Sequence, residues 1–377
     1  MILSETQVAV RDMVRDFARE RIRPHVAAFE AAGAYPAELF AELANLGLMG
    51  MTAPESAGGA GVDTVTYALA LIEVAAGDGA LSTVLSIHNS LIVSALLRYG
   101  DAAQQVRFLP DLIAGRATGA FALTESDAGS DAAAMRARAV KVDGGWRLNG
   151  AKQFISNGRI AKLAIVFAVS DPAAGKRGMS AFLVPTDSAG YVIDRVEHKL
   201  GQAASDTCAI RFDDVFVPDA MVLGTPGEGY RIALSNLEAG RIGIAAQCIG
   251  MADAALEIAV GYAGERKSFG QPIIQHQAVG HRLADLAAKL EAARQLVLHA
   301  ACVKDSGASC LIEASMAKLV ASETAEAVVS GAIQTLGGYG YLEDYGIAKI
   351  YRDVRVCQIY EGTSDIQRMV IARALAG

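Results

Sequence analysis

The run Ile359-Tyr360-Glu361-Gly362-Thr363-Ser364-Asp365-Ile366-Gln367-Arg368 holds the most chemically suggestive residue types of this 377-residue chain. Glu361 is a carboxylate followed by a glycine and two hydroxyl residues. Glycine lets a backbone approach a ligand closely, and hydroxyls offer donors, so this grouping suits a ligand site. The same string also reads as a helix C-cap followed by a new N-cap. The pattern alone leaves both readings open.

Other chemistries find no residues to carry them. No G-x-G-x-x-G follows a strand pattern and no G-x-x-x-x-G-K-[ST] occurs, so neither a Rossmann site nor a P-loop is indicated. Any flavin or nucleotide must be held another way. The cysteines (Cys208, Cys248, Cys302, Cys310, Cys357) have no C-x-x-C spacing; they suggest neither a disulfide framework nor zinc, and reduced thiols in a cytoplasm are the simplest reading. No H-E-x-x-H pair occurs, so no metal is expected. The formal net charge of −7 argues against a general nucleic-acid binder. It leaves room for a phosphorylated ligand held by a few placed cations. The first residues are charged from Glu5 onward and do not read as a signal peptide. Gly79 to Leu97 carries no charge, but Ser82, Thr83, Ser86, His88, Asn89, Ser90 and Ser94 would be costly in hydrocarbon. That stretch is read as a buried helix, with no membrane insertion.

The elements that must position such residues follow from texture. Hydrophobic residues make up 52% and charged residues 20%, enough for a large core, and the length fits two or three domains. Val10, Met13, Val14 and Phe17, then Leu39, Phe40, Leu43 and Leu46, recur at helical spacing. Breaks fall at Tyr35-Pro36 and in the loop Pro54 to Gly61. From about Ala117 the pattern becomes short alternating runs. Val140 and Val142 alternate before an Asp143-Gly144-Gly145 turn, and Trp146 and Leu148 alternate before Asn149-Gly150, read as a second turn. Strands are expected over Leu163 to Val169, Met179 to Val184, Tyr191 to Val196 and Cys208 to Phe212. After Pro226 only Pro272 interrupts. Leu283, Leu286, Leu290 and Val297 trace one helix face, and Ile312, Met316, Leu319, Ala327 and Val328 another, predicting about four long helices in a bundle.

Ile359 to Arg368, IYEGTSDIQR, resembles the signature of the acyl-CoA dehydrogenase family, and further motifs of that family fall in the right order. PESAGGAG (Pro54 to Gly61) resembles its N-terminal loop. FALTESDAGSD (Phe121 to Asp131) resembles its flavin and thioester loop, and KQFISNG (Lys152 to Gly158) the strand lying against the flavin. NLEAGRIGIAAQ (Asn236 to Gln247) resembles the first bundle helix. ERKSFGQPI (Glu265 to Ile273) and AIQTLGGYGY (Ala332 to Tyr341) resemble segments that reach a neighbouring subunit's cofactor. The resemblance spans nearly the whole chain. It implies a mainly α fold with a central β domain: an N-terminal helical domain over 1–116, a middle β-barrel or sandwich over 117–225, and a C-terminal four-helix bundle over 226–377. It implies FAD, an acyl-CoA substrate, electron-transferring flavoprotein as partner, and a homotetramer arranged as a dimer of dimers.

By the same resemblance Glu361 is the base that removes the pro-R α-proton while the β-hydride moves to flavin N5. A free glutamate has a pKa of about 4.3, so the site must raise its basicity by desolvation. The thioester oxygen is implied to be held by the Glu361 backbone N–H and a flavin ribityl hydroxyl. Relatives that place the base on the first bundle helix have it at the position of Gly240, which has no side chain. Glu238 and Arg241 match contacts to the CoA moiety, Gly362 a substrate contact, and Ser130 a residue near CoA or flavin. Phe121, Ala122, Leu123 and Thr124 match the segment against the isoalloxazine. Phe154 matches an aromatic over the ring, Ser156 a hydroxyl donor to N5, with Ile155 between them. Arg266, Phe269 and Gln277 match contacts to the diphosphate and adenosine of a partner subunit's FAD, as do Gln334, Gly337 and Gly338. Thr363, Ser364 and Asp365 match further flavin contacts.

The charge-free stretch Ala80 to Leu97 suits an apolar acyl tail and offers no arginine for a second carboxylate. LSIHNSL and GGYGYLEDY most resemble the short-chain and short branched-chain members of the family, so the resemblance implies a short-chain or short branched acyl-CoA, oxidised to the trans-2-enoyl-CoA in fatty-acid β-oxidation or branched-chain amino-acid breakdown. The competing readings are an acyl-CoA oxidase or nitroalkane oxidase of the same fold, and a non-catalytic helical binding protein.

Overall fold

The computed structural model describes residues 1–376. Its first part is helical: α1 (Glu5–Phe17), α2 (Val26–Ala32), α3 (Ala37–Asn45), α4 (Thr64–Gly77), α5 (Gly79–Ser86), α6 (Ser94–Tyr99) and α7 (Ala102–Ile113). Local chemistry sets the starts. Ser4 with Gln7 and Asp101 with Gln104 form capping boxes, and Asp63 caps α4. A π-helical turn, Ile87–Val93, joins α5 to α6. Every residue from Gly79 to Val93 is buried, as the sequence predicted. Several of the polar groups that argued against a membrane span are satisfied inside the fold, although Ser86 Oγ and His88 Nδ1 are buried without a partner. Ser82 Oγ donates to Gly79 O at 2.7 Å, Ser90 Oγ to Ser86 O at 2.6 Å, and Asn89 Nδ2 to Leu48 O at 2.9 Å.

The middle part is one sheet of β1 (Gly119–Ala122), β2 (Arg138–Val142), β3 (Gly145–Ser156), β4 (Leu163–Val169), β5 (Met179–Pro185), β6 (Tyr191–Val196), β7 (Thr207–Pro218) and β8 (Val222–Leu223). The order is β6-β7-β3-β2-β4-β5-β8, with β1 parallel to β4. Two local expectations are corrected. Asn149-Gly150 is not a turn. It lies within the continuous strand β3, at a register shift against β7. Asn149 Oδ1 accepts from Asp214 N at 2.8 Å, and Gly150 takes φ 137 where a Cβ would press on Ala137. The pair therefore makes a bulge rather than a hairpin. The β2 alternation has the opposite phase: Ala139 faces the core and Val140 is exposed.

The last part comprises α8 (Gly229–Glu265), a hairpin of β9 (Lys267–Ser268) and β10 (Gln271–Pro272), α9 (Gln277–Asp305), α10 (Leu311–Leu336), α11 (Ile347–Val354) and α12 (Ser364–Ala376). Three helices are long, not four: 37, 29 and 26 residues against 13 for α12. Left-handed Gly346, Glu361 and Gly362 interrupt the chain before α12 can extend. Leu283, Leu286, Leu290 and Val297 are buried as expected on α9. On α10 the buried face is Ala314, Ala317, Ala321, Ala325 and Val328, while Ile312 and Ala327 are exposed. Small alanines let α10 lie close against α8, so packing selected them over the bulkier residues.

A buried polar clasp ties the three parts together. Lys349 of α11 donates to Asp78 Oδ1 at 2.7 Å and also to Asp353, and Tyr35 OH donates to Asp78 Oδ2 at 2.6 Å. The backbone N–H of Gln202, from the β part, donates to Asp353.

Candidate active site

Glu361 stands in the turn between α11 and α12 with φ 50, and Gly362 follows with φ 89. A glutamate in the left-handed region costs roughly 1–3 kcal/mol and persists only where its surroundings enforce it. Here the turn aims the side chain at α8. A Cβ at position 240 would collide with Glu361 Oε2, so Gly240 supplies the space that the carboxylate fills. Oε2 is buried and has no hydrogen-bond partner. Burial raises the Glu361 pKa to about 7, against the opposing pull of Lys318 and Arg241. An ionised carboxylate without partners is a strong base relative to its free form.

Arg241, next along α8, is buried rather than a surface ion pair. Its Nη1 donates to Ser315 Oγ at 3.3 Å, and its Nε is buried without a partner. Desolvation lowers its pKa, partly offset by Glu361 and Glu238. Glu238 accepts from the backbone N–H of Cys310 at 3.2 Å, near the start of α10. Thr363 Oγ1 accepts from Ile366 N at 3.3 Å, so it caps α12. The neighbouring Ser364 Oγ is buried and unpartnered, and Asp365 is exposed. Both readings of the string thus hold at once: it caps a helix and it aims a carboxylate.

A second group forms in the sheet. Phe121 and Ala122 end β1, and the loop that carries Leu123, Thr124 and Ser130 runs on from them. Gln153 N donates to Thr124 O at 2.9 Å, which draws this loop against Phe154, Ile155 and Ser156 at the end of β3. Phe154 has φ 60 and is 63% exposed, while Ile155 is buried. An aromatic face left bare beside the Ser156 hydroxyl fits a flat heteroaromatic ring. Ser130 is exposed at the far side of the loop. Among the described residues no hydrogen bond joins this group directly to the Glu361 turn.

The third group is open. Arg266, Phe269 and Gln277 are exposed around the β9–β10 hairpin, Phe269 at 96%. Arg266 and Tyr339 help line a cavity of about 520 Å³. Gln334 is exposed too, and nothing lies within 4 Å of a Cβ built at Gly337 or Gly338. An arginine without an ion-pair partner among the described residues and two open glycines suit a diphosphate. These groups fit FAD, although one chain does not gather them at one point. Another cavity, about 610 Å³, is lined by ion-paired Arg15, Glu73, Asp253 and Arg294 and contains none of the expected site residues.

Sequence reasoning missed several groups that hold the Glu361 turn. Lys318 Nζ donates to Gly362 O at 2.7 Å and Gln367 Nε2 to the same oxygen at 2.9 Å. Tyr360 OH donates to Gln247 Oε1 at 2.6 Å, and Thr83 Oγ1 donates to Gln202 Oε1 at 2.8 Å. Gln247 Nε2 donates to Gly79 O at 2.7 Å and lies within 2.5 Å of Thr83 Oγ1. The available signal was a lysine on the alanine stripe of α10.

A helical front, a central sheet and a helical rear that shapes a desolvated glutamate define the build of acyl-CoA dehydrogenases. Models of that family's N-terminal, middle and C-terminal domains match residues 4–116, 120–215 and 227–376, and the chain belongs to it. It is therefore an acyl-CoA dehydrogenase, an oxidoreductase that binds FAD. An acyl-CoA dehydrogenase of Bacillus subtilis is 45% identical over 100% of both chains. The human mitochondrial short-chain specific acyl-CoA dehydrogenase is 41% identical over 98% of this chain and 90% of its own length. The structure of butyryl-CoA dehydrogenase from Megasphaera elsdenii superposes with a TM-score of 0.97 at 40% identity, covering 100% of each chain.

Proposed function

We propose that this enzyme oxidises a short-chain or short branched acyl-CoA to the trans-2-enoyl-CoA, with Glu361 as the base that takes the α-proton. The observation that carries this is the buried, unpartnered Glu361 Oε2 over Gly240, with its pKa raised to about 7. Near neutral pH such a group is half ionised, the condition in which a general base is most effective. The Glu361 backbone N–H has no acceptor among the described residues. It is thus available to the thioester oxygen as negative charge builds there. Bound FAD would supply the acceptor for the β-hydrogen. Phe154, Ser156 and Phe121 to Thr124 would hold its ring system, with Thr363, Ser364 and Asp365 beside it. Arg266, Phe269, Gln277, Gln334, Gly337 and Gly338 would serve the cofactor of a partner subunit. Arg241, Glu238, Ser130 and Gly362 would contact the substrate.

The short, uncharged acyl group is supported by the named relatives and by the charge-free, buried helix Gly79 to Val93. Fatty-acid or branched-chain amino-acid breakdown in the cytoplasm, with electrons passed to electron-transferring flavoprotein, is the role we assign. A panel of acyl-CoAs, scored by flavin bleaching without oxygen, tests the reading. Bleaching by butyryl- or isobutyryl-CoA is expected. Rapid oxygen consumption with substrate alone would instead mark an oxidase.

A further inference from the structure

The turn that carries Glu361 is strained, and two buried side chains converge on one atom of it. Lys318 and Gln367 are both 0% exposed, and both donate to Gly362 O. Gln367 Nε2 also reaches Glu361 O at 3.4 Å, and a Cβ on Gly362 would press on that same amide. A buried ammonium is expensive unless well paired. Among the described residues, Lys318 Nζ donates to no oxygen other than the Gly362 carbonyl. The neighbouring Cys248 and Cys357 are also buried. A lysine retained at such cost for one loop carbonyl is more than a core filler.

We propose that Lys318 is a positioning residue for the base: with Gln367 it clamps the Gly362 carbonyl, fixing the left-handed turn and thereby the Glu361 carboxylate over Gly240. The proposal rests on Glu361 being the base. The charge has a second effect. The groups facing Glu361 are Arg241 from α8, Lys318 from α10 and Tyr67 from α4. Of these, the two cations oppose the rise that burial imposes on the carboxylate. Lys318 thus supplies both a hydrogen bond and a field, whereas Gln367 supplies only the hydrogen bond.

That difference gives the test. Lys318→Met, Gln367→Leu and Glu361→Gln holoenzymes are compared with wild type for FAD content and for kcat against pH with butyryl-CoA. Lys318→Met is expected to lose about a hundredfold in kcat, the scale of an ångström misplacement of a reacting group. Its rising limb should move to higher pH, because a cation that favours the carboxylate is gone. Gln367→Leu should lose rate without moving the limb. If Glu361→Gln is inactive while Lys318→Met keeps the wild-type rate and pH profile, the clamp is overturned and the base assignment stands. If Glu361→Gln retains turnover, the base assignment falls and the clamp with it. Should Lys318→Met fail to fold, Gln367→Leu decides: a wild-type kcat overturns the proposal.

Discussion

Glu361 is poised by what its surroundings withhold. Water and hydrogen-bond donors are kept from Oε2, and the cost of ionising it in that place is what makes it basic. Glu361→Gln keeps the shape but cannot accept a proton. It should bind FAD normally and lose turnover beyond the ~10²–10⁴ usual for a general base; a variant with a tenth of wild-type activity would remove Glu361 from the role. The pH dependence follows with a definite sign. In the proposed role Glu361 must be ionised, so kcat/KM should rise with pH through an apparent pKa near 7. Stability runs the other way. The folded state holds the Glu361 proton more tightly than the unfolded chain, so stability falls as pH rises from about 4.5 to about 7. Glu361→Gln should therefore melt higher than wild type at pH 8 and similarly at pH 4, as a pair of thermal scans would show. Gly240→Ala makes the complementary case. Its methyl would meet the tip of a flexible side chain rather than backbone. The expected result is a fold that melts normally but has lost most of its kcat.

At the scale of elements, the loop proposed to hold the flavin depends on one strand-borne ion pair. Lys152 of β3 is fully buried and donates to Glu125 Oε1 at 2.8 Å and to Leu123 O at 2.9 Å. Glu125 also accepts the backbone N–H groups of Arg136 at 2.6 Å and Ala137 at 3.0 Å. Lys152 thus pins Leu123 and Thr124 against the strand that ends in Phe154 and Ser156. Breaking a buried pair from one side costs roughly 3–5 kcal/mol, but Glu125 retains two backbone donors. Lys152→Met should therefore fold with a lowered melting temperature and bind FAD about tenfold or more weakly, equivalent to about 1.4 kcal/mol. Unchanged FAD affinity by flavin fluorescence titration would show that the pair serves stability alone. The helices depend on small residues in a similar way. The alanine stripe of α10 lets Lys318 reach across to the turn before α12, which a wider helix spacing would prevent.

For the whole molecule, Arg266, Phe269 and Gln334 are exposed and the space around Gly337 is open. Phe269 is almost wholly exposed at the tip of the β9–β10 hairpin. The homotetramer we propose, a dimer of dimers with each FAD shared across an interface, would account for them. Sedimentation of the holoenzyme should give the tetramer, and a monomer with full FAD occupancy would refute the sharing. Substrate preference also belongs to this scale, since the residues proposed for it, Gly79 to Val93, Gly240 and Glu361, come from different parts of the chain. Each buried methylene is worth about 0.8 kcal/mol, so kcat/KM should change gradually among short acyl-CoAs and fall for long ones. A higher kcat/KM for dodecanoyl-CoA than for butyryl-CoA would contradict the short-chain reading.

The sequence alone determined the succession of helices, sheet and helices, the buried character of Gly79 to Val93, and the identity of the segment around Glu361. These are local properties: spacing of apolar residues, the presence or absence of charge, and a motif contiguous in the chain. Tertiary structure alone decided that Asn149-Gly150 would bulge within a strand, because the partner strand β7 offers Asp214 to pair with Asn149. It decided which face of α10 turns inward, because interhelical distance favours alanine over Ile312. It also decided what makes Glu361 basic. Gly240, Arg241, Lys318 and Gln367 lie up to 121 residues away from it in the chain. Desolvation is a property of the space those residues enclose, and no window of sequence contains that space.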